Sequence, residues 1–388
     1  MGARMKWFPG LNGLRFFAAV AVAVSHVELL KQYNGLPNIA DRPVVYELGR
    51  LAVTLFFVLS GFLITYLLLE EKRETKTIAV RQFYIRRMLR IWPLYFLLIG
   101  LSFFVFPHIG ILRLPGHADM NLEWTLPLFL FFLPQLALSI FEPVPFAEPA
   151  WSIGVEEQFY LLWPLLMRRF RSFVKLAVVV IVVTLAARYG ALWMAQANRA
   201  NGEALQLWNY AINYFYFTRM ECMAIGGLFA WAAFEKKFLG VLHSRITQVL
   251  VYVLTVYLLV TDAHKPIFSY GWYAVCFGVL IFNVATNPKS LLRFPATPFD
   301  FLGNISFSIY MVHEVVIQLV LRTFGVDALY PVSLTLTLLV ASASYLWFER
   351  PFLRLKSRYA VIATNRERLP PAVSPSFPPV ARSAGRSR

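Results

Sequence analysis

The chain has little charge, still less acid and almost no cysteine. Only 15% of its 388 residues are Asp, Glu, Lys or Arg, well below the share in a soluble domain. The two cysteines, Cys222 and Cys276, both fall inside apolar runs, which argues against a disulfide framework and a cysteine metal cluster. Acidic residues number 21 against 37 basic ones, giving a net charge of +16. That excess does not read as a nucleic-acid surface. The Lys and Arg sit in loops between apolar runs and in the tail, where they orient a membrane protein with its basic loops inside. No internal repeat and no second globular stretch is visible.

What fills the chain instead is apolar: 58% of residues are hydrophobic and 16% aromatic, enough for about ten spans of roughly 20 residues. The first apolar run lacks a small-residue cleavage site and reads as a retained helix, not a signal peptide. Arg4 and Lys6 precede it and place the N-terminus in the cytoplasm. Spans are predicted near 11–30, 48–69, 88–107, 151–167, 173–196, 213–234, 246–262, 269–287, 300–323 and 331–350. The segment 124–141 is apolar but carries Pro127 and Pro134, and a full crossing there would leave the basic run 168–171 outside. It is therefore read as re-entrant or partly inserted. The predicted fold is an all-α polytopic transmembrane bundle over residues 1–357, with both termini cytoplasmic. A basic Pro/Ser/Arg-rich tail, 358–388, cannot bury a core and is expected to be disordered.

Against this apolar background the ionisable residues stand out, because a charge within a span is costly and marks function by default. Arg15 and His26 share one face of the first span, eleven residues and about 16 Å apart. Arg15 alone could snorkel to the headgroups; the aligned pair favours a site. Arg86, Arg87 and Arg90 open the third span, with spacings of three and four. They read equally as inside-facing anchors and as a forked phosphate-binding surface. Glu156 and Glu157 in AWSIGVEEQFYLLWP point about 100° apart, to pair with a buried Arg, orient His26 or hold acceptor hydroxyls. Arg219 and Glu221 interrupt the span 213–234, and Gly226–Gly227 would admit a close helix. GNISFSIYMVHE brings Ser306, Tyr310, His313 and Glu314, with His313 near the depth of His26. Together with Ser60 and Trp151 these residues imply a polar chamber.

In order along residues 11 to about 355, LNGLRFFAAVAVAVSHV, VTLFFVLSGFLIT, FYIRRMLRIWPLY, AWSIGVEEQFYLLWPLL, GNISFSIYMVHE and FERPF resemble the successive motifs of the acyltransferase-3 family. The resemblance implies an integral membrane, acyl-coenzyme A-dependent O-acyltransferase; many such proteins acetylate bacterial surface glycans. The family's basic-residue–ten–His motif falls on Arg15 and His26, and its Arg-x-x-Arg motif on Arg87 and Arg90. The chain departs at Phe307, where Tyr is frequent, and at Glu314–Val315, where Pro commonly follows the His.

The expected activity is transfer of an acyl group, acetyl by resemblance, from coenzyme A to a hydroxyl, with a saccharide as the expected acceptor. Arg86, Arg87 and Arg90 would hold donor phosphates, and His26 would be the general base. Arg15 would steady the donor or the oxyanion. An acyl-enzyme on Tyr310 is a variant. Ser60, Trp151, Arg219, Ser306, Tyr310 and His313 would line the chamber. No permanently bound cofactor, no metal and no nucleic-acid partner is expected; the bilayer is that of a bacterial inner membrane. A transporter for an anionic solute or lipid is the competing reading, and it would predict an inverted repeat that is not found. A non-catalytic scaffold would leave the alignment of Arg15 and His26 unexplained.

Overall fold

Long apolar runs must satisfy every backbone group internally, and helices do so within one segment. The computed structural model describes residue 8 and residues 10–114, 121–261 and 270–361, and among them every regular element is helical. Arg4, Lys6 and the tail beyond residue 361 lie outside the described residues.

The helices are α1 (Gly10–Tyr33), α2 (Pro43–Thr75), α3 (Val80–Phe104), α4 (Leu122–Leu130), α5 (Pro134–Ile140), α6 (Ala150–Arg169), α7 (Phe173–Ala197) and α8 (Gly202–Phe217). They continue as α9 (Met220–Phe234), α10 (Leu239–Leu242), α11 (Arg245–Thr261), α12 (Gly271–Thr286), α13 (Ala296–Phe324), α14 (Leu329–Ala343) and α15 (Arg350–Ser357). A six-residue π-helical turn, Ser344–Glu349, joins the last two. Among the described residues, six helical stretches are long and apolar enough to cross a membrane: α1, α2, α3 with the turn after it, α7, α13, and α14 through α15. Shorter apolar helices, α11 and α12, accompany them.

Local chemistry sets several of the boundaries. Pro43 starts α2, and Lys76 in the left-handed region ends it. Asn121, Ser172 and Asn201 each accept an N–H at the start of α4, α7 and α8. Gly325, at φ +76°, closes α13.

The centre of the bundle is α2, 78% buried across its apolar window, whereas α7, at 22%, lies on the periphery. Glycines permit the tight contacts. A Cβ on Gly61 would collide with the Met223 carbonyl, and one on Gly226 with the Val58 carbonyl, so α2 and α9 touch backbone to backbone at two reciprocal points. Gly303 does the same for α13 against Asn12 of α1. Trp163 donates to Thr65 Oγ1 at 2.9 Å and ties α6 to α2.

Two predicted elements differ in continuity. Residues 124–141 form two short helices, α4 and α5, broken where Phe132 takes φ +57°. At nine and seven residues each rises only about 10–14 Å. Freed carbonyls at the break are bonded by neighbours: Tyr95 donates to Phe129 O at 2.7 Å and Gln158 to Phe132 O at 2.9 Å. The predicted span 213–234 is not one helix, because Thr218 and Arg219 leave helical geometry between α8 and α9. Arg219 compensates through its side chain, as Nε donates to Tyr216 O at 3.0 Å.

Candidate functional site

One helix reaches both polar regions of the bundle. At its Arg15 end, α1 faces a cavity of about 220 Å³ lined by Arg15, Ser60, Arg87, Arg90, Glu156, Tyr160 and Lys356 among apolar walls. Among the described residues, four cations and one carboxylate line it. Arg87 lies between the rings of Phe83 and Tyr160, its carbon 5.4 Å from each centroid, and its buried Nε has no hydrogen-bond partner among the described residues. A buried, unmatched guanidinium donor is costly unless an acceptor arrives. Glu156 accepts from Tyr160 at 2.6 Å, and Tyr160 shares a hydrogen bond with Ser60. Excess positive charge in a walled recess suits an anionic ligand.

Arg86 is not part of this wall. It lies 3.6 Å from Glu71 and donates to Tyr359 O at 2.9 Å, so it ties the start of α3 to α2 and to the chain beyond α15. Helical spacing places Arg86 within reach of the Arg90 side, and the nearby Glu71 draws it away. Lys356 takes its place among the cavity cations, since α15 packs across α3.

The His26 end holds a second cluster. His26 Nδ1 lies 2.9 Å from His313 Nε2 and 2.9 Å from Glu314 Oε1. His313 and Glu314 are 0% and 3% exposed, while the His26 side chain keeps 19%. Glu314 also lines a small pocket with Leu30, Tyr33, residues 143–146 and Glu148. Tyr33 donates to Glu148 at 3.1 Å. Burial, reinforced by the Glu314 carboxylate, pushes the loop carboxyl of Glu148 up to about 7.

A partition of rings separates the two regions. Phe56 and Phe307 line the cavity, Phe56 packs edge-on to Tyr310 at 6.0 Å, and Tyr310 lies 6.0 Å from His313. Tyr310 donates to Pro149 O at 3.0 Å and meets Ser152 at 2.7 Å.

The structure thus brings His26 and His313 together, and separately Arg15, Ser60, Arg87, Arg90 and Glu156. Neither Glu156 nor Glu157 reaches His26. Glu157 accepts from Trp92 at 3.0 Å, and the carboxylate beside His26 is Glu314. Arg219 lines neither region. It is 1% exposed, 3.5 Å from the Tyr270 ring, and donates to Thr54 at 3.0 Å, so it pins the helix break. Trp151 packs on Phe57 and Phe217, and Ser306 bonds Gly303 O; both are buried supports. Lys356, Tyr33 and Glu148 escaped the sequence reading, because nothing local marks a lysine of the last described helix or a loop glutamate as facing the first helix. A metal was not expected, yet His26, His313 and Glu314 place three possible ligand atoms within 4.8 Å of one another.

Comparison with known proteins adds the family. The acyltransferase-3 model, described as an acyltransferase domain, matches residues 8–346. The O-acetyltransferase OatA of Staphylococcus aureus strain NCTC 8325 is 27% identical over 376 residues, covering 89% of this chain and 57% of the relative. A putative O-acetyltransferase of Staphylococcus aureus strain COL is 26% identical over 382 residues, covering 90% and 58%. The chain therefore spans somewhat more than half the length of these curated relatives. No solved structure matches it.

Proposed function

The chain belongs to the acyltransferase-3 family, and on that premise we propose that it is a membrane O-acyltransferase with acetyl-coenzyme A as donor. The acceptor is a hydroxyl, in a saccharide, presented at the outer side of a bacterial inner membrane. One observation carries this reading: a single helix, α1, contributes Arg15 to a four-cation cavity and His26 to a histidine–carboxylate cluster at its other end.

The cavity cations Arg87, Arg90 and Lys356 hold the donor's phosphates on the cytoplasmic side. The pantetheine arm runs toward the Phe56–Phe307–Tyr310 partition, with Arg15 beside it to steady charge on the thioester oxygen. His26 is the general base. A carboxylate 2.9 Å from Nδ1 disfavours a bare lone pair there, so the proton sits on Nδ1 and the Nε2 lone pair is left for the acceptor. The acceptor O–H gives its proton to Nε2 as its oxygen attacks the thioester carbonyl. The C–S bond then breaks, and the coenzyme A thiolate leaves and takes up a proton. Glu314 steadies the transient imidazolium. The ten-crossing topology with both termini cytoplasmic belongs to the same proposal.

The test is the purified full chain in lipid nanodiscs, supplied with acetyl-coenzyme A and a glycan extract, with free thiol and ester-linked acetyl both measured. Thiol release that depends on acceptor, and on His26, is expected. Donor binding with no thioester loss under any acceptor overturns the reading. Uptake of an anion into vesicles by the same protein would favour transport instead.

A further inference from the structure

The cluster at the His26 end has one proton too few. Nδ1 of His26 lies equally close to His313 Nε2 and Glu314 Oε1, and a single N–H cannot serve both. With that proton on His26 Nδ1, His313 Nε2 and Glu314 Oε1 are two acceptors competing for one N–H. Whichever takes it, the other is left buried without a proton of its own; the Glu314 side chain is 4% exposed and His313 fully buried. Two imidazole nitrogens and a carboxylate oxygen, from α1 and α13, thus converge on a point that a cation would satisfy in full.

We propose that His26, His313 and Glu314 form a binding site for a divalent transition-metal cation, zinc by its donor set, and that the bound ion switches His26 off as a base. The site rests on geometry alone; its effect on transfer rests on the proposed role of His26. Zinc takes nitrogen and oxygen ligands at about 2.0–2.2 Å, which puts neighbouring ligand atoms about 3.3 Å apart in a tetrahedron. The two separations from His26, 2.9 Å each, need to open by only a few tenths of an ångström, and all three ligand atoms already lie within 4.8 Å of one another. The open side of His26 leaves the fourth position to water. Glu148, on the same small pocket as Glu314, adds a second carboxylate to its field.

The switch follows from proton counting. A neutral imidazole has one N–H and one lone pair. If the Nδ1 lone pair binds metal, the proton must sit on Nε2, and no lone pair is left to accept the acceptor's proton. The ion displaces the Nδ1 proton to solvent and changes no covalent bond.

The full chain in nanodiscs, stripped with EDTA, is titrated with zinc chloride by calorimetry, and with cobalt(II) for its visible absorption. One zinc per chain is expected, with at least about tenfold weaker binding in Glu314→Gln and in His313→Ala, and unchanged binding in His243→Ala. Glu314→Gln preserves shape and carries the test if His313→Ala fails to fold. Uptake no greater than that of the Glu314→Gln/His313→Ala double variant, or equal loss in His243→Ala, overturns the site. Saturating zinc should also cut acetyl transfer at least about a hundredfold, reversibly with EDTA. Undiminished transfer at full zinc occupancy overturns the switch while leaving the site intact, and a protein that binds zinc but never transfers acetyl separates failure of the catalytic reading from failure of the site.

Discussion

Replacing His26 with asparagine separates the chemistry from the scaffold. The amide nitrogen of Asn stands at the same bond distance from the backbone as imidazole Nδ1, so it can still donate toward Glu314 and His313, but it offers no basic lone pair at the Nε2 position. Stability should therefore stay close to that of the parent. His26→Ala, by contrast, leaves the buried Glu314 carboxylate without its neighbour, at a cost of about 1–3 kcal/mol. Donor binding should be untouched in both, since α1 is continuous and eleven residues separate His26 from Arg15, a rise of about 16 Å. Transfer should fall about 10²–10⁴-fold, which is about 2.7–5.4 kcal/mol of barrier. The assay pairs coenzyme A binding by calorimetry with acetyl transfer on one preparation, and thermal unfolding ranks the variants. An Asn variant that is folded, binds donor and still transfers at near the parental rate refutes the base assignment.

Other perturbations read different parts of the molecule. Arg90→Ala should weaken donor affinity about ten- to a hundredfold, with Lys recovering part of it, and Lys356→Ala should act in the same direction; donor titrations would show whether turnover at saturation is spared. Gly61→Ala drives a methyl into the Met223 carbonyl and should lower stability by about 1–3 kcal/mol, whereas Gly100→Ala in α3 meets nothing within 4 Å and should be neutral or stabilising in a melting assay. Glu148 yields a pH signature. Its folded value, near 7, lies above its ordinary value of 4.5, so its ionisation opposes folding: stability is intact below about 4.5, declines as pH rises toward 7, and the loss, at most about 3 kcal/mol, persists above. Glu148→Gln should flatten that slope between pH 4.5 and 7, and an unchanged slope would put its origin elsewhere.

Much of the bundle could be read from residue order, because hydropathy and prolines act locally. The apolar run of α1 carries Arg15 and His26 on one unbroken helix, and the proline pair at 127 and 134 marks the segment that becomes α4 and α5. The break at Thr218–Arg219 was hidden, since YFTRMECMAIGG has no proline and reads as continuous helix. It forms because Arg219 finds carbonyls and rings on four other segments, a tertiary reward that no window detects. The same limit applies to the carboxylates. Helical periodicity shows that Glu156 and Glu157 diverge, but whether either meets His26 depends on how α6 is rotated against α1, and Tyr160 and Trp92 settle that. Glu314 reaches His26 across 288 positions and was legible only as a polar residue at a suitable depth.

The cavity at the Arg15 end is built from both extremities of the chain, with Phe8, Asn12 and Arg15 on one side and Lys356 on the other. Synthesis at about 5–20 residues per second separates the appearance of residues 15 and 356 by roughly 20 to 70 s. During that interval Arg15 lies in the membrane before Glu156 has been made, and α1 waits for its largest partner, α13. A nascent chain therefore has no complete recess for an anionic ligand until its last described helix has docked. Assembly order alone keeps an unfinished copy from presenting the complete recess.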